Sequence, residues 1–361
     1  MTLGVEAALV DGELVPGDVR VDENGTIAAV GLASRGSGIA APGFVDLQVN
    51  GFAGIDFLDA DADGYRRAGA ALLQTGVTAY LPTLVTASEA ALLDALGQLP
   101  GRSDNPRVLG AHLEGPFLSP ERLGAHLAAH RRDPDAALLD RLLAAGPVAL
   151  VTLAPELPGA LELVSRLRER GIVVSLGHTD ATAAVAHAAF DRGARTVTHV
   201  FNAMRPLTSR EAGVAGAALA RDDVVVQAIF DGVHLAPETE QLVVSAAPGR
   251  LALVTDTISA ATLGDGAFTL GGAPVTVERG VARRAGGVLA GSTLTMPQAV
   301  RNLVDRGVAL ERVLEAASTT PARLLGLPET SGLTVGSRAD LVVLDDRLEV
   351  RRTLLDGRDC L

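Results

Sequence analysis

Four short polar signatures each close an apolar run: HLEGP around Glu114, LGHTDAT around His178, VTHVFNAM around His199, and LVTD ending at Asp256. One carboxylate, two imidazoles and a second carboxylate are what a hydrolytic metal centre requires. Three groups hold the cation, one position stays open for water, and a free carboxylate moves protons. Glu114 follows an apolar strand and precedes Gly115-Pro116, a depth at which a carboxylate is costly unless it is paired or bound to a cation. A salt bridge to an arginine is the alternative. A lone histidine on a strand is ordinarily a core residue, but His178 and His199 stand 21 residues apart, one strand–helix step. Asp256 suits a proton carrier beside the activated water; a structural carboxylate or helix cap is its alternative.

The elements that must position these groups are legible as well. Between residues 43 and 256 lie eight candidate parallel strands: 43–49, 77–83, 107–113, 148–154, 172–177, 195–200, 224–230 and 251–256. They are short and apolar along their length, as strands buried on both faces are. Helical patterns separate most of them, for instance 160–170 and 181–193. This alternation predicts an α/β protein with a (β/α)8 TIM-like barrel, whose active site belongs at the carboxyl ends of the strands. Those ends offer Gln48 and Asn50, Thr83, Glu114, Glu156, His178, His199, Asp231 with His234, and Asp256.

Residues 1–41 and 334–361 have the character of short strands with turn signals, including Asn24-Gly25. Neither piece buries enough to stand alone, so the economical reading joins both termini in one small β-sandwich domain. The barrel domain then occupies 42–333, with a β insertion at 264–290, where Gly-rich, strand-like text breaks the rhythm.

Composition narrows the function. A formal net charge of −12 argues against nucleic acid or an anionic membrane as partner. All 31 basic residues are arginine, so a carbamylated lysine bridging two metals is excluded. Cys360 is the sole cysteine, which fits a reducing cytoplasm and permits no intrachain disulfide. The N-terminal text lacks a basic region followed by an apolar stretch, and no apolar run reaches the roughly 18–20 residues of a membrane helix. A cytoplasmic protein is expected.

Further residues surround the four signatures. His126, in RLGAHLAAH, lies on a loop that could swing over the site, and His112, on the strand face of Glu114, is expected to support it. His130 and His187 read as structural or solvated. Asn202-Ala203 follows His199 at a turn whose free backbone N–H groups could cradle phosphate. Arg210 and His234 are cationic or donor groups on adjacent late loops, where barrels commonly bind phosphate. Zinc is the default for a Glu/His/His site, though Fe2+ or another divalent ion suits the same ligands.

Taken together, PGFVDLQVNG, HLEGPFL, GAH, VTLAPE, GHTDAT, THVFNAM, SRE, DGVHL, VTD, AGSTLTM and GSRADLVVLD make the chain resemble the N-acetylglucosamine-6-phosphate deacetylases of the amidohydrolase superfamily. The resemblance implies a barrel with a terminal β-sandwich, a homodimer, a role in amino-sugar metabolism, and hydrolysis of the acetamide of the phosphorylated sugar. It implies one divalent metal ion on Glu114, His178 and His199, with Asp256 as acid/base and His126 on the substrate carbonyl. Asn202, Ala203, Arg210 and His234 would hold the sugar phosphate, with Arg210 reaching the neighbouring subunit's site. Where many superfamily members carry His-x-His, this chain has Gln48-Val49-Asn50, poor ligands that point to a single metal. A deacetylase for the galactosamine epimer and a catalytically silent scaffold remain as alternatives.

Overall fold

The structure, a computed structural model, describes residues 1–101, 106–327 and 332–361. Eight parallel barrel strands run through Phe44–Val49, Val77–Val85, Ala111–Glu114, Val148–Leu153, Val173–Leu176, Thr196–Val197, Val225–Ala228 and Leu251–Leu253. Each pairs in parallel with the next. The eighth meets the first through a parallel bridge between Val49 and Thr257 and a hydrogen bond from the Asp256 amide to the Gln48 carbonyl at 3.0 Å. The expected third strand is interrupted: Arg107–Val108 pairs separately with the second strand, and Gly110, at φ +115°, turns the chain before Ala111.

Helices follow most strands, with starts marked in the sequence. Asp61, Ser88, Asp135 and Thr182 each accept a backbone N–H of the first turn, capping Ala62–Leu73, Glu89–Gly97, Ala136–Ala145 and Ala183–Arg192. One large apolar core joins the strands to the inner helix faces, with Leu113, Val151, Leu176 and Val226 all buried in it. No described helix is long and apolar enough to cross a membrane.

Strands from both ends of the chain share a six-stranded sheet. Ile39–Pro42 pairs in parallel with Ala7–Val10 and antiparallel with Leu341–Leu344, which continues to Val350–Leu355. The hairpin Asp18–Val21 with Ile27–Leu32 turns through Gly25 at φ +76° and completes a β-sandwich. Its own core holds Val5, Val19, Ile27, Leu341 and Leu354. The passage to the barrel is tight at Gly43, where a Cβ would stand 2.1 Å from Thr78 Oγ1.

After the eighth barrel strand, Gly266–Leu270, Ala273–Glu278 and Val281–Arg283 form a three-stranded antiparallel sheet. Its core of Leu270, Val275, Val277 and Ala282 also receives Val85 and Ala125, so the insertion packs against the loop that carries His126.

Candidate metal centre and active site

The third barrel strand delivers Glu114 directly. His178, His199 and Asp256 lie just beyond the ends of the fifth, sixth and eighth strands, at φ +48°, +31° and +50°. A left-handed residue that is not glycine costs roughly 1–2 kcal/mol. Three of them at strand ends indicate backbone strain kept where polar side chains are gathered. Gly177 permits the approach of His178, because a Cβ there would fall 2.8 Å from Thr152 Cγ2 and 2.9 Å from Thr198 Cβ.

These turns bring Glu114, His178 and His199 together, with one ligand atom from each inside a 4.8 Å span. Glu114 Oε1 lies 3.2 Å from His178 Nε2 and 3.0 Å from His199 Nε2, and the two imidazole nitrogens are 3.1 Å apart. His178 Nδ1 donates to the Arg122 carbonyl at 2.9 Å, which leaves the Nε2 lone pair aimed at the cluster. Two nitrogens and a carboxylate oxygen at such separations, buried from water, are a donor set that fits a divalent cation. Unpaired buried atoms close by, His199 Nδ1, Gln48 Oε1 and Asn50 Oδ1, mark the same region as polar and incomplete.

The electrostatics agree. Burial alone would raise the Glu114 carboxyl, but its close contacts with the His178 and His199 imidazoles outweigh it and hold the group well below the usual carboxylate range. Burial would depress His199, yet its contact with Glu114 pushes it up. Asp256 is raised to about 6, first by burial and then by the Glu114 charge. His126 is driven down to about 3, first by burial and then by His178, and is therefore neutral.

Around this centre the remaining side chains fall into place unequally. Gln48 Nε2 donates to Glu114 Oε1 at 3.1 Å, and Asn50 Nδ2 to Asp256 Oδ1 at 2.8 Å. His126 accepts the Thr86 amide at Nδ1, 3.2 Å away, and brings Nε2 to 3.6 Å from Glu114 Oε2. A cavity of about 360 Å³ opens over these groups and is also lined by Asn202, Ala203 and His234. His234 is oriented by Asp231, whose Oδ2 lies 2.7 Å from Nδ1. The turn after His199 is only partly free for an anion: the Asn202 amide is spent on the His199 carbonyl at 3.0 Å.

Arg210, expected to act in a neighbouring subunit's site, is exposed and does not line the cavity of its own chain. One expectation comes out differently. His112, on the strand face of Glu114, does not bond to it; its ring joins Thr83 at 3.2 Å and Thr152 at 2.7 Å. Two residues along a strand are about 6.6 Å, so a shared face still places His112 one layer below.

Sequence reasoning also missed Arg122, Asp180 and Arg284. Arg122 and Arg284 line the cavity, and Arg284 Nη1 donates to the Ala125 carbonyl, next to His126. Asp180 was in view within GHTDAT, but its partners are remote in sequence.

Comparison with known proteins places these features. The amidohydrolase family model matches residues 39–359. N-acetylglucosamine-6-phosphate deacetylase from Mus musculus is 42% identical over 341 residues, covering 89% of this chain and 83% of the relative. N-acetylgalactosamine-6-phosphate deacetylase from Escherichia coli O157:H7 is 37% identical over 93% of this chain and 92% of its own length. Among solved structures, a mutant N-acetyl-D-glucosamine-6-phosphate deacetylase from Mycobacterium smegmatis, in complex with N-acetyl-D-glucosamine-6-phosphate, superposes with a TM-score of 0.95. It is 39% identical and covers 100% of this chain and 99% of its own.

Proposed function

The chain belongs to the amidohydrolase family, and on that premise we propose that it hydrolyses the acetamide of N-acetylglucosamine 6-phosphate, releasing glucosamine 6-phosphate and acetate. The observation that carries the reading is the convergence of Glu114, His178 and His199 beside a raised Asp256 at the floor of one cavity. Relatives named for this reaction support the substrate.

Glu114, His178 and His199 would hold one divalent ion, with Zn2+ favoured by the mixed nitrogen and oxygen donors. Such an ion polarises a carbonyl and makes a water acidic near neutral pH. Asp256, raised towards 6 and held by Asn50, takes the proton of the attacking water. It then returns that proton to the departing amine, which needs a group able to hold it in both states. Neutral His126 stabilises the charge that develops on the acetamide oxygen. Asn202, Ala203 and His234 would bind the sugar phosphate.

Arg210 completes that set from a second copy of the chain, since it is exposed and lies outside its own cavity. A cytoplasmic homodimer follows from this reading. Arg210→Ala should raise KM for the phosphorylated sugar roughly 10- to 100-fold and leave unphosphorylated N-acetylglucosamine little changed. Equal changes on both substrates would remove Arg210 from the phosphate site.

The galactosamine epimer is the second reading, favoured by the relative named for it. Deacetylation assays on both N-acetylhexosamines, each with and without the 6-phosphate, decide between them. Activity on neither phosphorylated sugar, in protein carrying about one equivalent of metal, would overturn the proposal.

A further inference from the structure

The carboxylate of Asp180 sits between two arginines. Arg122 Nε donates to Asp180 Oδ1 at 2.8 Å, and Arg205 Nη2 pairs with Oδ2. The Asp180 backbone is held too, its carbonyl by Arg205 Nε at 2.6 Å and its amide by Glu156 Oε1 at 2.7 Å. The second oxygen of Glu156 accepts the Thr179 hydroxyl at 2.6 Å. Glu156, the polar residue beyond the fourth strand, is thereby fixed to the loop beyond the fifth.

Each arginine leads to a different part of the site. The Arg122 carbonyl is the acceptor for His178 Nδ1. The loop bearing it is also tied to that histidine by the Ser119 amide on the His178 carbonyl at 2.9 Å. On the other side, the Thr179 amide donates to the Ala203 carbonyl at 3.1 Å and the Arg205 amide to the Thr179 carbonyl at 3.0 Å. That pair joins the loop after His178 to the turn of Asn202 and Ala203.

We infer that Asp180 is a positioning residue that couples the metal centre to the substrate turn, through Arg122 on one arm and Arg205 on the other. The inference rests on the metal-site reading above. Its effect is orientation more than stability: the three side chains keep 24–35% exposure, where ion pairs add little to folding. By contrast, groups that orient a metal-binding histidine commonly change affinity about 10- to 100-fold.

The test is Zn2+ binding, measured by competition with a chelator, alongside KM for the sugar phosphate and the melting temperature of metal-free protein. Asp180→Asn should weaken Zn2+ by about 10- to 100-fold and raise KM, with metal-free melting nearly unchanged. The arms should separate in metal affinity: Arg122→Ala weakens Zn2+, whereas Arg205→Ala raises KM with little change in Zn2+. These two variants also carry the test if Asp180→Asn does not fold. Wild-type affinity in Asp180→Asn would overturn the inference alone, as would losses that merely track metal-free melting. Wild-type protein that takes up no Zn2+ would overturn the metal-site reading and this inference with it.

Discussion

Inside the barrel, the layer that holds Glu114, His178 and His199 can be set against the layer beneath it, where His112 sits among hydroxyls. Below, a single chain of hydrogen bonds crosses the strands. Val49 N donates to Thr83 Oγ1 at 3.0 Å, Thr83 meets His112 Nδ1, and His112 Nε2 meets Thr152. Thr152 then joins Thr198 at 2.7 Å, and Thr198 joins Ser175 at 2.5 Å. Burial depresses His112 to about 4, so its ring is neutral there. Above, the backbone is strained, three buried polar atoms lack partners, and acids and imidazoles crowd one another. Both layers are buried and polar. What separates them is satisfaction: His112 and the hydroxyls of the lower one all have partners, whereas the upper one leaves His199 Nδ1, Gln48 Oε1 and Asn50 Oδ1 without any.

The largest expected effect breaks the upper layer. Glu114→Ala should abolish stoichiometric metal binding and reduce kcat/KM by about a thousandfold or more, read by metal analysis and a deacetylation assay. Metal retained at one equivalent would mean that the histidines suffice without the carboxylate. Asp256→Asn should keep the metal and lower kcat by about 10²- to 10⁴-fold, the range of a lost acid/base. An Asp256→Asn protein of near-normal rate would leave the proton-carrying role to another group.

How far this contrast could be seen in the sequence depends on the range of the interactions. Short apolar runs gave the eight barrel strands, and a polar residue just beyond each run located the mouth. The pairing of both termini in one sheet followed because neither end could bury its strands alone. Residue type did not distinguish His112 from His178, since both are histidines at barrel strands, and only their partners differ. His112 meets Thr152 from 40 positions away, while His178 meets Glu114 from 64. The left-handed backbone at His178, His199 and Asp256 carries no sequence mark, because glycine is the residue that ordinarily signals it. Arg122 and Asp180, 58 positions apart, were hidden for the same reason.

The lower layer predicts the opposite kind of damage. His112→Ala should strand the Thr83 and Thr152 hydroxyls and leave a small void, at a cost of about 2–4 kcal/mol in urea unfolding. The folded fraction should still bind metal and turn over within about threefold of wild type. A large loss of kcat with unchanged stability would make His112 part of the chemistry and dissolve the distinction between the layers.

Asp46 sharpens the comparison, because it resembles one layer in bonding and the other in charge. It is fully buried, and it accepts the Thr255 hydroxyl at 2.6 Å and the Gln48 amide at 3.2 Å, yet burial raises it to about 7. A raised carboxyl binds its proton more tightly in the fold than in the unfolded chain. Between the ordinary value of 3.8 and about 7, the stability it contributes is therefore lost as pH rises. The slope is at most about 1.4 kcal/mol per pH unit, that of one proton. Asp46→Asn cannot ionise, so its stability relative to wild type should improve steadily from pH 5 to 7 and level off above about 8. Urea unfolding of metal-free protein across that range provides the measurement. A difference independent of pH would mean that Asp46 is already ionised at pH 5, with its hydrogen bonds offsetting burial as completely as they do for the hydroxyls around His112.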